Sequence, residues 1–147
     1  MGSKQQTCAE RWRDEKDSTF EDLRKLWESY CRGEESVEDL GNIFEYGLSF
    51  DYVTPGTFGE EQEDGYFRYQ LSWGGPSDEI RYYVNADDCA DGAEYVHPWK
   101  VQYVFLDWFD GEARGLHGDD RVLALDLFEW FKEGGCVEAA FDSAMLG

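Results

Sequence analysis

The 147-residue chain carries 33 Asp and Glu against 13 Lys and Arg, a formal net charge of -20 at pH 7. Charge of that sign repels phosphate backbones and anionic headgroups, so direct binding to nucleic acid or to an anionic membrane is excluded. With 41% hydrophobic and 17% aromatic residues the chain is too rich in core builders to be a disordered segment, and its length suits one domain over 1–147.

The charge is segregated. Residues 1–33 hold seven bases and seven acids and sum to zero, whereas 34–147 hold 26 acids and six bases. Cys8, Cys31, Cys89 and Cys136 are widely spaced, without a C-x-x-C pair. Nothing at the N-terminus has the pattern of a secretory signal, so free thiols in a cytoplasmic protein are expected. No apolar run approaches the ~20 residues of a membrane span.

In chain order, polar residues 1–17 predict a loosely ordered lead-in. Ser18-Thr19-Phe20-Glu21 fits a capping box, and Phe20, Leu23, Leu26, Trp27, Tyr30 and Cys31 recur behind it at helical spacing up to Gly33. A second start at Ser36, with Val37, Leu40, Ile43 and Phe44 before Gly47, predicts an αα-hairpin. The period then shortens to two: Leu48, Phe50 and Tyr52, then Phe67 to Trp73, a turn at Gly74-Gly75-Pro76-Ser77, and Ile80 to Val84 predict strands. A denser apolar run, Trp99 to Trp108, predicts a fourth strand that is central or covered on both faces. The chain closes on an amphipathic helix over Arg121–Glu133, and Val137 to Met145 can add a short last helix. Runs of helices and strands rather than alternation predict an α+β fold: an N-terminal αα-hairpin, a four-stranded antiparallel sheet and a C-terminal helix packed on one face. The sheet's other face would then expose Arg68, Gln70, Ser72, Arg81 and Tyr83.

Acids concentrate in three segments between these elements. The first carries Glu60, Glu61, Glu63 and Asp64, and the second Asp87, Asp88, Asp91 and Glu94. The third, a Gly-rich loop after the last strand, carries Asp110, Glu112, Asp119 and Asp120.

No catalytic signature accompanies them. Asp107 to Glu112 lacks the alternating ligands of a calcium loop, and so do Asp87, Asp88 and Asp91. His97 and His117 lie far from the cysteines in sequence, against a zinc site. A pairing of Cys89 with His97 or His117 is conceivable in space, but nothing singles it out. There is no G-x-S-x-G elbow and no phosphate loop, and carboxylate pairs occur in any acidic chain. The expectation is a non-enzyme with no catalytic residues, metal or cofactor.

Carboxylates on strand ends and loops can approximate the phosphate spacing of a nucleic-acid backbone, because alternate residues of a strand lie ~6.6 Å apart. Acids interleave with aromatics in Phe44-Glu45-Tyr46, Asp107-Trp108-Phe109-Asp110 and Phe128-Glu129-Trp130. In size, acidity and this interleaving the chain resembles the small acidic nucleic-acid mimics of phages and mobile elements that block restriction enzymes or CRISPR effector complexes. These inhibitors share no motif, so the resemblance implies a role and no individual residues. The expected partner is a basic nucleic-acid-binding protein or complex, and the segregated charge points to the three acidic segments as the residues that meet it. Two alternatives stand beside it: an immunity-type or other specific binder of a basic partner, and a halophilic acidic domain. Any aromatics left exposed among the carboxylates would anchor such an interface.

Overall fold

The computed structural model describes residues 7–73, 76–107 and 110–146. Its first helix, α1 (Cys8–Cys31), begins inside the segment expected to be a loose lead-in. Thr7 caps it, its hydroxyl accepting from the Glu10 N–H at 3.2 Å, and the distant Asp110 carboxylate accepts from the Cys8 N–H at 2.7 Å. Trp12 is buried, and its indole N–H donates to the Tyr103 carbonyl at 2.8 Å, while Arg11 pairs with Asp107 at 2.6 Å. The lead-in is therefore held by partners from the other end of the chain, which local periodicity does not register. Ser18 and Thr19 lie within the helix rather than at its cap, and the Thr19 hydroxyl donates to Asp78 at 3.0 Å.

The second helix is shorter than expected, a single turn α2 (Ile43–Tyr46) capped by the Asn42 side chain, which accepts from the Glu45 N–H at 3.0 Å. Ahead of it, Val37 and Gly41 exchange backbone hydrogen bonds of 2.7 and 3.0 Å around a tight turn. Asp39 there adopts φ 70°, a left-handed conformation that Asp tolerates better than most residues.

Among the described residues, five strands rather than four form one antiparallel sheet in sequence order: β1 (Ser49–Val53), β2 (Tyr66–Ser72), β3 (Ser77–Tyr83), β4 (Lys100–Asp107) and β5 (Asp110–Gly115). The extra strand lies where an acidic loop was expected. On one of its faces β5 offers only Gly111, Ala113 and Gly115, opposite Leu106, Val104 and Gln102. A strand with such small residues on one face and charged ones on the other carries no apolar alternation to read. The Gly74-Gly75 turn, Trp108, Phe109 and residues 1–6 of the expected lead-in lie outside the described residues.

One face of the sheet is the core. Phe67, Tyr69, Leu71, Ile80, Tyr82, Val101, Tyr103 and Phe105 are buried there. α1 crosses β4 and β5. α4 (Gly118–Glu133) lays Leu123, Leu127, Phe128 and Phe131 over β2 and β3, and the Tyr82 hydroxyl donates to the Ala124 carbonyl at 2.8 Å. α5 (Cys136–Leu146), the short last helix, lies along β1, with the Phe141 and Tyr52 rings 5.2 Å apart. The fold is α+β, with N-terminal helices and C-terminal helices packed on an antiparallel sheet.

The other face is polar but less open than expected. Arg68 grips Asp51 through Nε and a terminal nitrogen at 3.0 and 2.7 Å, and Arg81 Nε meets Glu79 at 2.7 Å. Gln70, expected to be exposed, is 1% exposed. Its amide donates to the Ser72 and Asp78 carbonyls at 2.7 and 3.0 Å beside a register shift between β2 and β3, and its partner across the strands, Glu79, is buried with it. Beside it, Tyr66 is buried under the Arg81 guanidinium, 4.8 Å above its ring, and its hydroxyl has no hydrogen-bond partner among the described residues. An unpaired buried hydroxyl costs about 1–3 kcal/mol. Tyr66→Phe is accordingly expected to leave stability unchanged or raise it by about 1 kcal/mol in urea unfolding. A loss above that would mean the hydroxyl is bonded.

Candidate partner-binding surface

The register places the expected acids on the framework. Val53 pairs with Tyr66, Tyr66 with Tyr83, and Tyr83 with Lys100, so these residues form one end of the sheet. The β1–β2 and β3–β4 connections both leave from this end, and so does the step from β5 into α4. Glu60, Glu61, Glu63 and Asp64 ride on the first. Asp87, Asp88 and Asp91 ride on α3 (Ala86–Asp91) in the second, with Glu94 in a 3-10 turn just after it. Asp119 and Asp120 open α4, where the positive end of the helix dipole favours them. Neighbouring strands lie ~4.8 Å apart, so the two hairpin connections emerge within roughly a Debye length of each other and their fields add.

The first of these segments is held in shape internally. The Gln62 carbonyl accepts from the Gly56 N–H at 2.9 Å, and its side-chain oxygen accepts from the Phe58 N–H at 3.0 Å. Its amide donates to the Thr54 and Asp64 carbonyls at 3.0 and 3.1 Å. Gly65 closes the loop against Tyr52: a Cβ there would lie 2.1 Å from the Tyr52 hydroxyl, so a side chain cannot be accommodated without displacing that ring. The four acids therefore stand on an ordered loop. Composition flagged them but not Gln62, whose role depends on the loop's own closure. In the second segment, the buried Cys89 anchors α3 while Asp87 and Asp91 stay exposed.

Not every expected acid belongs to this surface. Asp120 pairs with Lys16 at 2.7 Å and Arg24 at 2.9 Å. Glu112 pairs with Arg114 at 2.7 Å, and Arg114 donates to the Ala9 carbonyl and lies over the Trp12 ring. Asp110 stands at the opposite end of the sheet, beside Asp107. Asp107 and Asp120 neutralise bases of α1, Asp110 accepts from its Cys8 N–H, and Glu112 holds the Arg114 that donates to the Ala9 carbonyl. The balanced charge of the first 33 residues is thus tied to acids from later in the chain. Among the described residues no ion pair involves Glu60, Glu61, Glu63, Asp64, Asp87, Asp88, Asp91, Glu94 or Asp119; Asp110 makes none either, and is distinguished by its place at the opposite end of the sheet and its bond to the Cys8 N–H.

Asp110 supplies a pH dependence. The Cys8 N–H, and after it the Gly111 N–H, hold its carboxyl below the ordinary 3.8. A depressed carboxylate stabilises the fold above its unfolded pKa, and that contribution is lost as pH falls through the folded value. Asp110→Asn is expected to lower the melting temperature at neutral pH, with the gap from wild type closing as pH falls through the carboxyl's depressed folded value. A gap constant from pH 7 down to about 2 would contradict this.

Nucleophile chemistry finds no support. Burial, then Asp88, pushes the Cys89 thiol up to about 11, the reverse of activation. The cavity beside it, about 490 Å³, is lined by neither histidine. Among the described residues no three His, Cys, Asp or Glu side chains gather to hold a metal ion. All four cysteines are free. No helix among the described residues is long and apolar enough to cross a membrane.

A second feature is apolar. Trp27, Tyr30, Phe44 and Trp130 form a ring cluster where α1, α2 and α4 meet, with Phe44 5.6 Å from Tyr30 and 5.2 Å from Trp130. Phe44 is 67% exposed and the neighbouring Leu48 53%. Helical periodicity assigns Tyr30 and Phe44 to the core, and their exposure follows from the shortening of α2 to one turn. No protein-family model, no curated protein and no solved structure matches this chain.

Proposed function

We infer that the protein is an acidic, protein-binding inhibitor. It covers the basic surface of a nucleic-acid-binding defence complex, of the restriction or CRISPR type, and excludes that complex's nucleic acid. The observation that carries this reading is the set of nine acids at one end of the sheet that make no ion pair among the described residues: four on a loop ordered by Gln62, three on the helix anchored by Cys89, Glu94 just after it and Asp119 at the start of α4. Charges fixed in this way lose less conformational entropy on binding than charges on a mobile tail. Their summed field also steers a basic partner in diffusional encounter. Asp107 and Asp120 spend their charge on bases of α1, and Glu112 spends its charge on Arg114.

The test is a binding titration with purified restriction and CRISPR effector complexes across salt, from about 50 to about 500 mM. Affinity for the target is expected to fall steeply, as it does when multiple charge contacts are screened. Affinity independent of salt would reject the reading.

A further inference from the structure

The aromatic cluster at the meeting of α1, α2 and α4 adjoins a groove of about 380 Å³, lined by Ile43, Phe44, Leu48, Phe50, Trp130 and Phe131 among others. A groove of that size accepts two large apolar side chains. Its rim is acidic. Glu34 and Glu35 line the neighbouring recess with Tyr30 and Phe44, Glu45 follows Phe44, and Glu133 lies about one turn after Trp130 on α4. Arg32 pairs with Glu34 at 2.6 Å and Lys132 with Glu129 at 3.1 Å, which leaves Glu35, Glu45 and Glu133 as the rim acids without an ion pair among the described residues.

Resting on the reading of the protein as an inhibitor of a basic partner, we propose that this groove docks a cationic amphipathic segment of that partner, apolar side chains inserted and Lys or Arg on the acidic rim. The charge decides the occupant. A second copy of this chain would bring another net -20 against the same acidic rim, and a neutral apolar segment would leave the rim unmatched. A helix with apolar anchors one turn apart and basic residues alongside satisfies both features. Exposed aromatics in a groove are also where binding energy concentrates in protein interfaces. The acidic end of the sheet then supplies attraction and orientation, and the groove supplies short-range affinity.

The test uses two synthetic peptides of about 18 residues, a Leu/Lys amphipathic helix and an equally charged Lys/Ser control. Binding to the full chain is followed by anisotropy and by amide chemical shifts. The Leu/Lys helix is expected to bind at least about tenfold more tightly than the control and to shift amides of Phe44, Leu48 and Trp130. Phe44→Ser with Leu48→Ser, both at exposed sites, should remove that tenfold advantage and leave the control unchanged. Equal binding of both peptides by the double variant and wild type would overturn the proposal, as would shifts confined to 54–65 and 86–94. A wild-type dimer in sedimentation that the double variant abolishes would also overturn it, giving the groove to a second copy. The broader reading fails separately: charge reversal at Glu60, Glu61, Glu63 and Asp64 that leaves effector binding intact rejects the acidic end and leaves the groove standing.

Discussion

Trp12→Ala is expected to destabilise the protein by ~3–5 kcal/mol, the range for truncating a buried Trp or Phe. The ring is 6% exposed and meets Tyr103 edge-on at 5.8 Å between centroids. The Arg114 guanidinium lies 5.3 Å from it and the Lys16 ammonium 5.9 Å. Its loss leaves a cavity under α1 and strips the Tyr103 carbonyl of the indole donor. The same substitution loosens the first two turns of α1, so Arg11 and Lys16 release Asp107 and Asp120. The check is equilibrium urea unfolding of the variant. A change below about 1 kcal/mol would mean that residues 8–17 do not carry the sheet's β4–β5 side.

Much of the fold was legible because the strands that bury one face alternate cleanly. Phe67, Tyr69 and Leu71 on β2 and Ile80 and Tyr82 on β3 face the core as their spacing predicts. What escaped has physical reasons. The start of α1 depends on Asp110, Asp107 and Tyr103, some hundred residues away, and β5 carries Gly and Ala where a strand usually shows its apolar residues. The acids were countable from sequence, but their division into seat and surface was not. Asp120 and Asp119 are neighbours in the chain, yet only Asp120 reaches the bases of α1. Exposure of Phe44 was hidden for the same kind of reason, since a helical pattern continues through a segment that the chain folds into a tight turn.

The division of acids yields the second large effect. Reversing Glu60, Glu61, Glu63 and Asp64 to Lys should weaken binding to the effector by at least about a hundredfold at low salt, chiefly through the association rate. The fold should tolerate the change, because all four are exposed and none makes an ion pair among the described residues. Reversing Asp110 and Glu112 should have the opposite profile: a lower melting temperature, through the lost α1 cap and the lost partner of Arg114, with little change in affinity. Surface plasmon resonance and thermal melts on both variants separate the two groups of acids. Equal affinity losses would mean that the whole chain's net charge acts rather than one end of the sheet.

An inhibitor of this kind and nucleic acid compete for one basic surface of the effector. Adding the protein to a preformed effector–nucleic acid complex in a mobility-shift titration tests that directly. The expected result is release of free nucleic acid in step with formation of the protein–effector complex, and restoration of the original complex when nucleic acid is raised. A slower-migrating species containing effector, nucleic acid and this protein together would contradict it.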